Sequence, residues 1–195
     1  ESLSDKEIAM TMVFSLLLTV VLFVIIPTSA AKYVHSAIKD PMLLNLVEGG
    51  LRMLIFFVYI YGISRMKDIK RVFQYHGAEH KTIHAYEAGV PLTVENVQKF
   101  STLHPRCGTS FLLIVMIVSI LIFAFLGWPD LWMRILSRVI LLPVVAGVSY
   151  EIIRYAGHSD NKFVQFATLP GLWLQNLTTR KPDDEQVEVA IRALE

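Results

Sequence analysis

Apolar positions dominate four long stretches of the chain, and the segments between them carry helical, amphipathic spacing. Residues 8–31 hold no charged side chain across 24 positions. At about 1.5 Å per residue that is enough helix to cross the hydrocarbon core of a bilayer. A second charge-free stretch runs from Gly108 to Pro129 and ends beside Trp128, where an indole suits the interface. Two further stretches are interrupted: Leu43–Ser64 includes Glu48 and Arg52, and Leu131–Gly157 includes Arg134, Arg138, Glu151 and Arg154. Their charge-free centres, Met53–Ile63 and Val139–Tyr150, are only 11 and 12 residues long. Taken alone, runs of that length fit a re-entrant or interfacial segment as well as a span. Basic residues settle the choice. Residues 65–106 carry seven Lys and Arg, and the positive-inside tendency puts such a segment in the cytoplasm. A two-span arrangement would place it outside or make it re-enter. The pattern therefore predicts an all-α, polytopic membrane protein with four transmembrane helices and both termini cytoplasmic.

That topology divides the chain into residues 1–64 (the first two spans), 65–107 (a cytoplasmic His-rich helical segment), 108–157 (the last two spans) and 158–195 (a cytoplasmic interfacial segment and C-terminal helix). In the His-rich segment, Met66–Phe73 is a short amphipathic stretch, and Tyr75–Ala88 keeps helical spacing until Gly89 and Pro91 stop it. Thr93 is placed to cap a second helix with Val94, Val97, Phe100 and Leu103 on its apolar face. Pro105 ends that helix, and Thr109 is placed to cap the next span. Leu169-Pro170-Gly171 through Leu177 is an apolar piece suited to the interface. Pro182, Asp183, Asp184 and Glu185 open a last helix with Val187, Ile191 and Leu194 on one face. In the second span, Glu48 and Arg52 share a helix face, either as an ion pair holding the bundle or as part of a polar path. Gly49-Gly50 beside them permits close helix contact.

Composition narrows the function classes. Only 18% of the 195 residues are charged and 54% are apolar, against roughly 25% charged in soluble chains. Mean hydropathy is +0.51. With 18 basic and 17 acidic residues the net charge is +1, so no broad basic field invites nucleic acid. Membrane lipids are the expected partners, and a homo-oligomer the expected assembly. One cysteine excludes an intrachain disulfide framework and any Cys₄ or Cys₂His₂ zinc finger. The first apolar run is too long for a cleavable signal. A chain that begins at Glu1 leads us to expect a preceding segment.

The histidines carry the chemistry. His76, His80, His84, His104 and His158 fall on the side expected to be cytoplasmic, and His35 on the other. With His76 at zero, about 100° per residue puts His80 near 40°, His84 near 80°, Glu87 near 20° and Glu79 near −60°. Five metal-capable side chains thus crowd less than half of one helix circumference. His76-x-x-Glu79-His80 also spells H-x-x-E-H, the inverted zincin order. Two imidazoles one turn apart can take two corners of a tetrahedral Zn²⁺ site. A carboxylate next to the second, here Glu79, can then act as the general base toward water. The third ligand is open between His84, Glu87, His104 and Glu151. His104-Pro105-Arg106-Cys107-Gly108 forms a second polar cluster at the membrane entry. Cys107 is a ligand by its x₂ gap from His104, or an inert buried thiol. Arg106 is a contact for lipid phosphate or an anionic substrate, or a positive-inside anchor. Glu151 lies where a carboxylate is expensive and is a functional candidate on that ground. Asn176-Leu177-Thr178 is a glycosylation sequon in spelling only, because it faces the cytoplasm.

Residues 75–81 (YHGAEHK), 104–110 (HPRCGTS), 142–151 (LPVVAGVSYE) and 182–186 (PDDEQ) resemble the YqhQ-like membrane proteins of bacteria over nearly the whole chain. That family is a domain of unknown function described as predicted metal-dependent enzymes. The resemblance implies a bacterial inner-membrane location and a bound metal, and its members usually begin with a further glycine-rich stretch. Together these readings predict a metal-dependent membrane hydrolase, its divalent transition metal zinc, acting on a peptide bond or a lipid-linked ester. The alternatives are a metal-ion transporter or sensor, or a structural oligomer stapled by metal. Nearly pure apolarity of the first and third spans weighs against a transport path.

Overall fold

The computed structural model describes residues 4–35, 37–156 and 162–195, and its regular elements among them are all helices. His158 and the expected boundary at 157/158 lie outside the described residues. Helix α1 (Asp5–Val20) continues through a π-helical turn at Val21–Ile25 into α2 (Ile26–Val34). Then follow α3 (Pro41–Ile63), α4 (Lys67–Glu87), α5 (Val94–Gln98), α6 (Gly108–Ala124), α7 (Leu131–Ala156), α8 (Lys162–Thr178) and α9 (Asp184–Leu194). Among the described residues, three helical stretches are long and apolar enough to cross a membrane: Asp5–Val34, α3 and α7. The chain is a membrane protein by that measure. Helix α6 is apolar but has 17 residues, so at about 1.5 Å each it covers about 25 Å of a roughly 30 Å hydrocarbon core.

Contacts divide the chain into two units, residues 1–58 with 119–142 and residues 59–118 with 143–195. In the first, Pro27 explains the π turn. Proline has no N–H to give the carbonyl four residues back, that of Phe23. Arg52 Nε donates to that Phe23 oxygen at 2.9 Å instead. Glu48, nearly fully buried, takes Arg52 at 2.8 Å as expected, and also Arg138 of α7 at 3.0 and 3.2 Å. Gly49 is a close approach: a Cβ there would lie 2.5 Å from Ile120 Cγ1, whereas Gly50 faces open space. Only one of the two glycines therefore serves packing.

In the second unit, α4 runs unbroken through both stretches and stops before Gly89, whose φ of +66° favours glycine. Ala78, Ala85, Val97, Val187 and Ile191 form the core that joins α4, α5 and α9, with Phe100 packed against it. Leu194, expected on the same face, is exposed. Thr93 caps α5 by accepting from the Asn96 amide. Asp183 and Gln186 close a reciprocal capping box at α9. Lys81 is buried in this core, donating to the Gln98 and Phe100 carbonyls at 2.7 and 2.5 Å. It thereby satisfies the C-terminus of α5. Burial, with Lys181 nearby, lowers its pKa below the usual lysine value.

Candidate metal centre

Three features bring the donors together. The i+4 spacing lines His76, His80 and His84 along one face of α4. The turn at His104–Cys107 returns the chain to that face as α6 begins. The residues after α8 then lie along the side of α4, where Arg180 N donates to Phe73 O at 2.8 Å. This approach needs Gly77, since a Cβ there would sit 2.1 Å from the Arg180 carbonyl oxygen. Gln175 clamps the returning turn. Its side chain accepts from His104 N at 2.8 Å and donates to His104 O at 2.8 Å and Ser110 Oγ at 2.7 Å.

The histidine hydrogen bonds assign the ring tautomers. His76 Nδ1 lies 2.8 Å from Thr178 O and His80 Nδ1 lies 2.6 Å from Thr102 O. A carbonyl oxygen only accepts, so each neutral ring carries its proton on Nδ1 and keeps the Nε2 lone pair for a ligand. That is the outer-shell arrangement by which metal-binding histidines are held. His76 Nε2 is 3.3 Å from Cys107 Sγ. Donor atoms of His76, His80 and Cys107 all lie within 4.8 Å of one another.

Cys107 stands immediately before α6, two residues earlier than the cap expected at Thr109. Its sulfur accepts from Thr109 N at 3.4 Å and lies 3.2 Å from Thr109 Oγ1. Burial pushes the thiol pKa up, but His76, His80 and the Thr109 hydroxyl and amide outweigh it and hold it at about 5. The helix N-terminus acts in the same direction. His76 is raised, chiefly by its bond to Cys107 against burial, with help from Thr178 O and the Glu79 charge. Sulfur and imidazole thus each favour the other's ionised form, and they share a proton that a cation can replace. Two imidazole nitrogens and a thiolate suit a borderline-soft divalent ion and not Ca²⁺ or Mg²⁺.

His84, Glu87 and His104 form a second group of the same extent. Its tautomers differ. His84 Nε2 faces Leu103 O at 2.9 Å, and His104 Nδ1 accepts from Arg106 N at 3.3 Å. A neutral His104 therefore carries its proton on Nε2, which lies 3.6 Å from Glu87 Oε2. Burial lowers the His104 pKa, and His84, His80 and Arg106 add to this against the opposing Glu87. Arg106 pairs with Glu87. The four rings form a row: His76 to His80 at 4.4 Å, His80 to His104 at 5.7 Å and His104 to His84 at 4.6 Å between centroids.

Two sequence-derived candidates stand apart. Glu79 is exposed and lines a groove with Ala190 and Leu194 of α9, in neither donor group. Glu151 is exposed too and pairs with Arg154 at 3.5 Å. What the spacing missed is Cys107 as the partner of His76, together with Gln175 and the Thr102 and Thr178 carbonyls. Gln175, an amide that follows the apolar stretch Leu172-Trp173-Leu174, carried a usable signal. Backbone carbonyls carry none.

A family model described as "Protein of unknown function (DUF1385)" matches residues 1–195. "Uncharacterized protein YqhQ" of Bacillus subtilis (strain 168) is 41% identical over 188 residues, covering 96% of this chain and 59% of that protein. The chain thus spans about three fifths of the length of that curated relative. No solved structure matches. By the whole-length family match and this identity, the chain belongs to the YqhQ-like DUF1385 family of unknown function.

Proposed function

We propose that the chain is a metal-dependent membrane hydrolase in which His76, His80 and Cys107 hold a divalent transition metal, zinc before others. The carrying observation is the convergence of two Nε2 lone pairs and one thiolate, both Nδ1 atoms being taken by carbonyls. Three protein ligands leave a tetrahedral ion one position for water or substrate, as catalytic zinc sites do. When bound, the metal supplies Lewis acidity toward a carbonyl or phosphoryl oxygen and toward water. The chain's own proton acceptor in this reading is Glu87 acting with His104, whose ring adjoins His80. Glu79, the base suggested by the H-x-x-E-H order, faces α9 instead. Arg106 orients Glu87 and keeps a half-exposed guanidinium for an anionic substrate.

The seven basic residues of 65–106 support a cytoplasmic site in a four-span protein of the bacterial inner membrane, both termini inside. A peptide or lipid-linked ester is the substrate class. The test is turnover of fluorogenic peptide and ester panels by zinc-loaded protein. His80→Ala should abolish it together with the metal, and Glu87→Gln should abolish it while metal is retained. Turnover unaffected by His80→Ala would contradict the proposal. A second reading, a metal staple, is favoured by ligands that come from positions 31 apart on two elements. It predicts that Glu87→Gln leaves function intact wherever metal stays bound.

A further inference from the structure

In the unit of residues 1–58 and 119–142, three arginines surround one carboxylate. Arg138 holds both oxygens of Glu48, and Arg52 takes one at 2.8 Å. Arg134 is the least engaged of the three, its Nη2 donating to Pro129 O at 3.4 Å. Its nearest Glu48 oxygen is 3.8 Å away, its side chain is only 11% exposed, and its Nε has no hydrogen-bond partner. Its guanidinium stacks 3.7 Å over the Trp128 indole, which fixes the plane of its donors. Thr28, Ser29, Lys32, Trp128, Asp130 and Arg134 border a cavity of about 680 Å³. Lys32 has no ion pair among the described residues. Lys32, Arg134 and Asp130 line the cavity, and Arg134 joins it to the Glu48 cluster, so that the connected set holds four cations (Lys32, Arg52, Arg134, Arg138) against two carboxylates (Glu48, Asp130).

Uncompensated charge among apolar helices is costly, and it persists where a counter-ion completes the set. We propose that this cavity binds a phosphate-bearing group, either the phosphomonoester head of a lipid or free phosphate. Tetrahedral oxygens can accept from Arg134, from the Lys32 ammonium and from the Ser29 hydroxyl at once. A dianion also matches the surplus of two positive charges, whereas a carboxylate leaves one over. Thr28 contributes less, because its hydroxyl already donates to Glu48 at 3.2 Å.

Trp128 serves as the reporter once Trp132→Phe and Trp173→Phe have removed the other indoles. The full chain is placed in phosphatidylcholine nanodiscs and titrated with inorganic phosphate against chloride at equal ionic strength. A parallel set of nanodiscs is doped with phosphatidic acid. A saturable change in Trp128 emission with phosphate points to the free anion. A change with phosphatidic acid alone points to the lipid head. Arg134→Gln should abolish the response, and Lys32→Gln, which breaks no ion pair, should weaken binding about tenfold or more. Arg192→Gln on α9 should change nothing. No response in either arm, or a response unaltered by both cavity variants, would overturn the proposal.

Discussion

Cys107 Sγ and His76 Nε2 lie 3.3 Å apart, although 31 residues separate them in the chain. The contact joins the start of α6 to the middle of α4. It accounts for a thiol pKa of about 5, and it turns an i+4 pair of histidines into three converging donors. This relationship sets the pH behaviour of the metal-free protein. After chelation, the rate of thiol modification at Cys107 should rise through a midpoint near 5 and be flat above neutrality. His76→Ala should move the midpoint several pH units upward. A wild-type midpoint near 8.5, that of an ordinary cysteine, would mean that the two side chains do not meet. For stability the sign follows from the lowered folded-state value. The thiolate contribution is complete above the ordinary thiol range and is lost as the pH falls toward 5. The stability gap between wild type and Cys107→Ser should therefore narrow on acidification.

Gly77→Ala tests the strap that supplies the Thr178 carbonyl. Alanine is worth about 1 kcal/mol over glycine in a helix interior, yet here its Cβ would meet the Arg180 carbonyl oxygen at 2.1 Å. Backbone cannot rotate away as a side chain can. A net loss of about 1–3 kcal/mol is expected, read as a lower unfolding midpoint in detergent and weaker metal retention. A midpoint raised by Gly77→Ala would show that the strap does not dock there.

The helical half of the site was legible, and the rest was not, for reasons that differ by residue. His76, His80 and His84 share a face by spacing alone, which 3.6 residues per turn dictates. The convergence of His76 and His80 with Cys107 depends on how the His104–Cys107 turn meets α4, and no local period encodes that. Thr102 and Thr178 act through carbonyl oxygens that every residue owns. Glu79 was favoured by motif order, but the α9 face that covers its neighbours Thr82 and Ile83 lies a hundred residues away in sequence. The apolar stretches marked the long helices well, since burial in lipid demands continuous apolarity. The shortness of α6 escaped notice because Gly127-Trp128-Pro129 is apolar without being helical. Arg134 and Arg138 were readable in principle as partners of Glu48, being i+4 cations on one long apolar helix.

Glu48→Gln keeps the side-chain shape and removes the charge that Arg52 and Arg138 share. With three guanidinium groups left facing one another, a loss of about 3–5 kcal/mol is expected. Reversible unfolding in mixed detergent would measure it. A variant as stable as wild type would show that water already screens these arginines.

Paired carboxylate variants separate base from bystander. Glu87→Gln should leave metal content near wild type while lowering turnover about 10²–10⁴-fold, the usual span for loss of a general base. Glu79→Gln should leave both nearly unchanged. The opposite result, turnover lost through Glu79→Gln and kept in Glu87→Gln, would restore the H-x-x-E-H assignment.

The central claim is a metal held by two imidazoles and one thiolate, and X-ray absorption at the zinc edge of zinc-loaded protein tests it most directly. The expected spectrum has one sulfur scatterer at about 2.3 Å and two imidazole nitrogens at about 2.0–2.1 Å. Cys107→Ser should remove the sulfur shell, and His84→Ala should leave the spectrum unchanged. A wild-type site with nitrogen and oxygen scatterers only, unaffected by Cys107→Ser, would contradict the account.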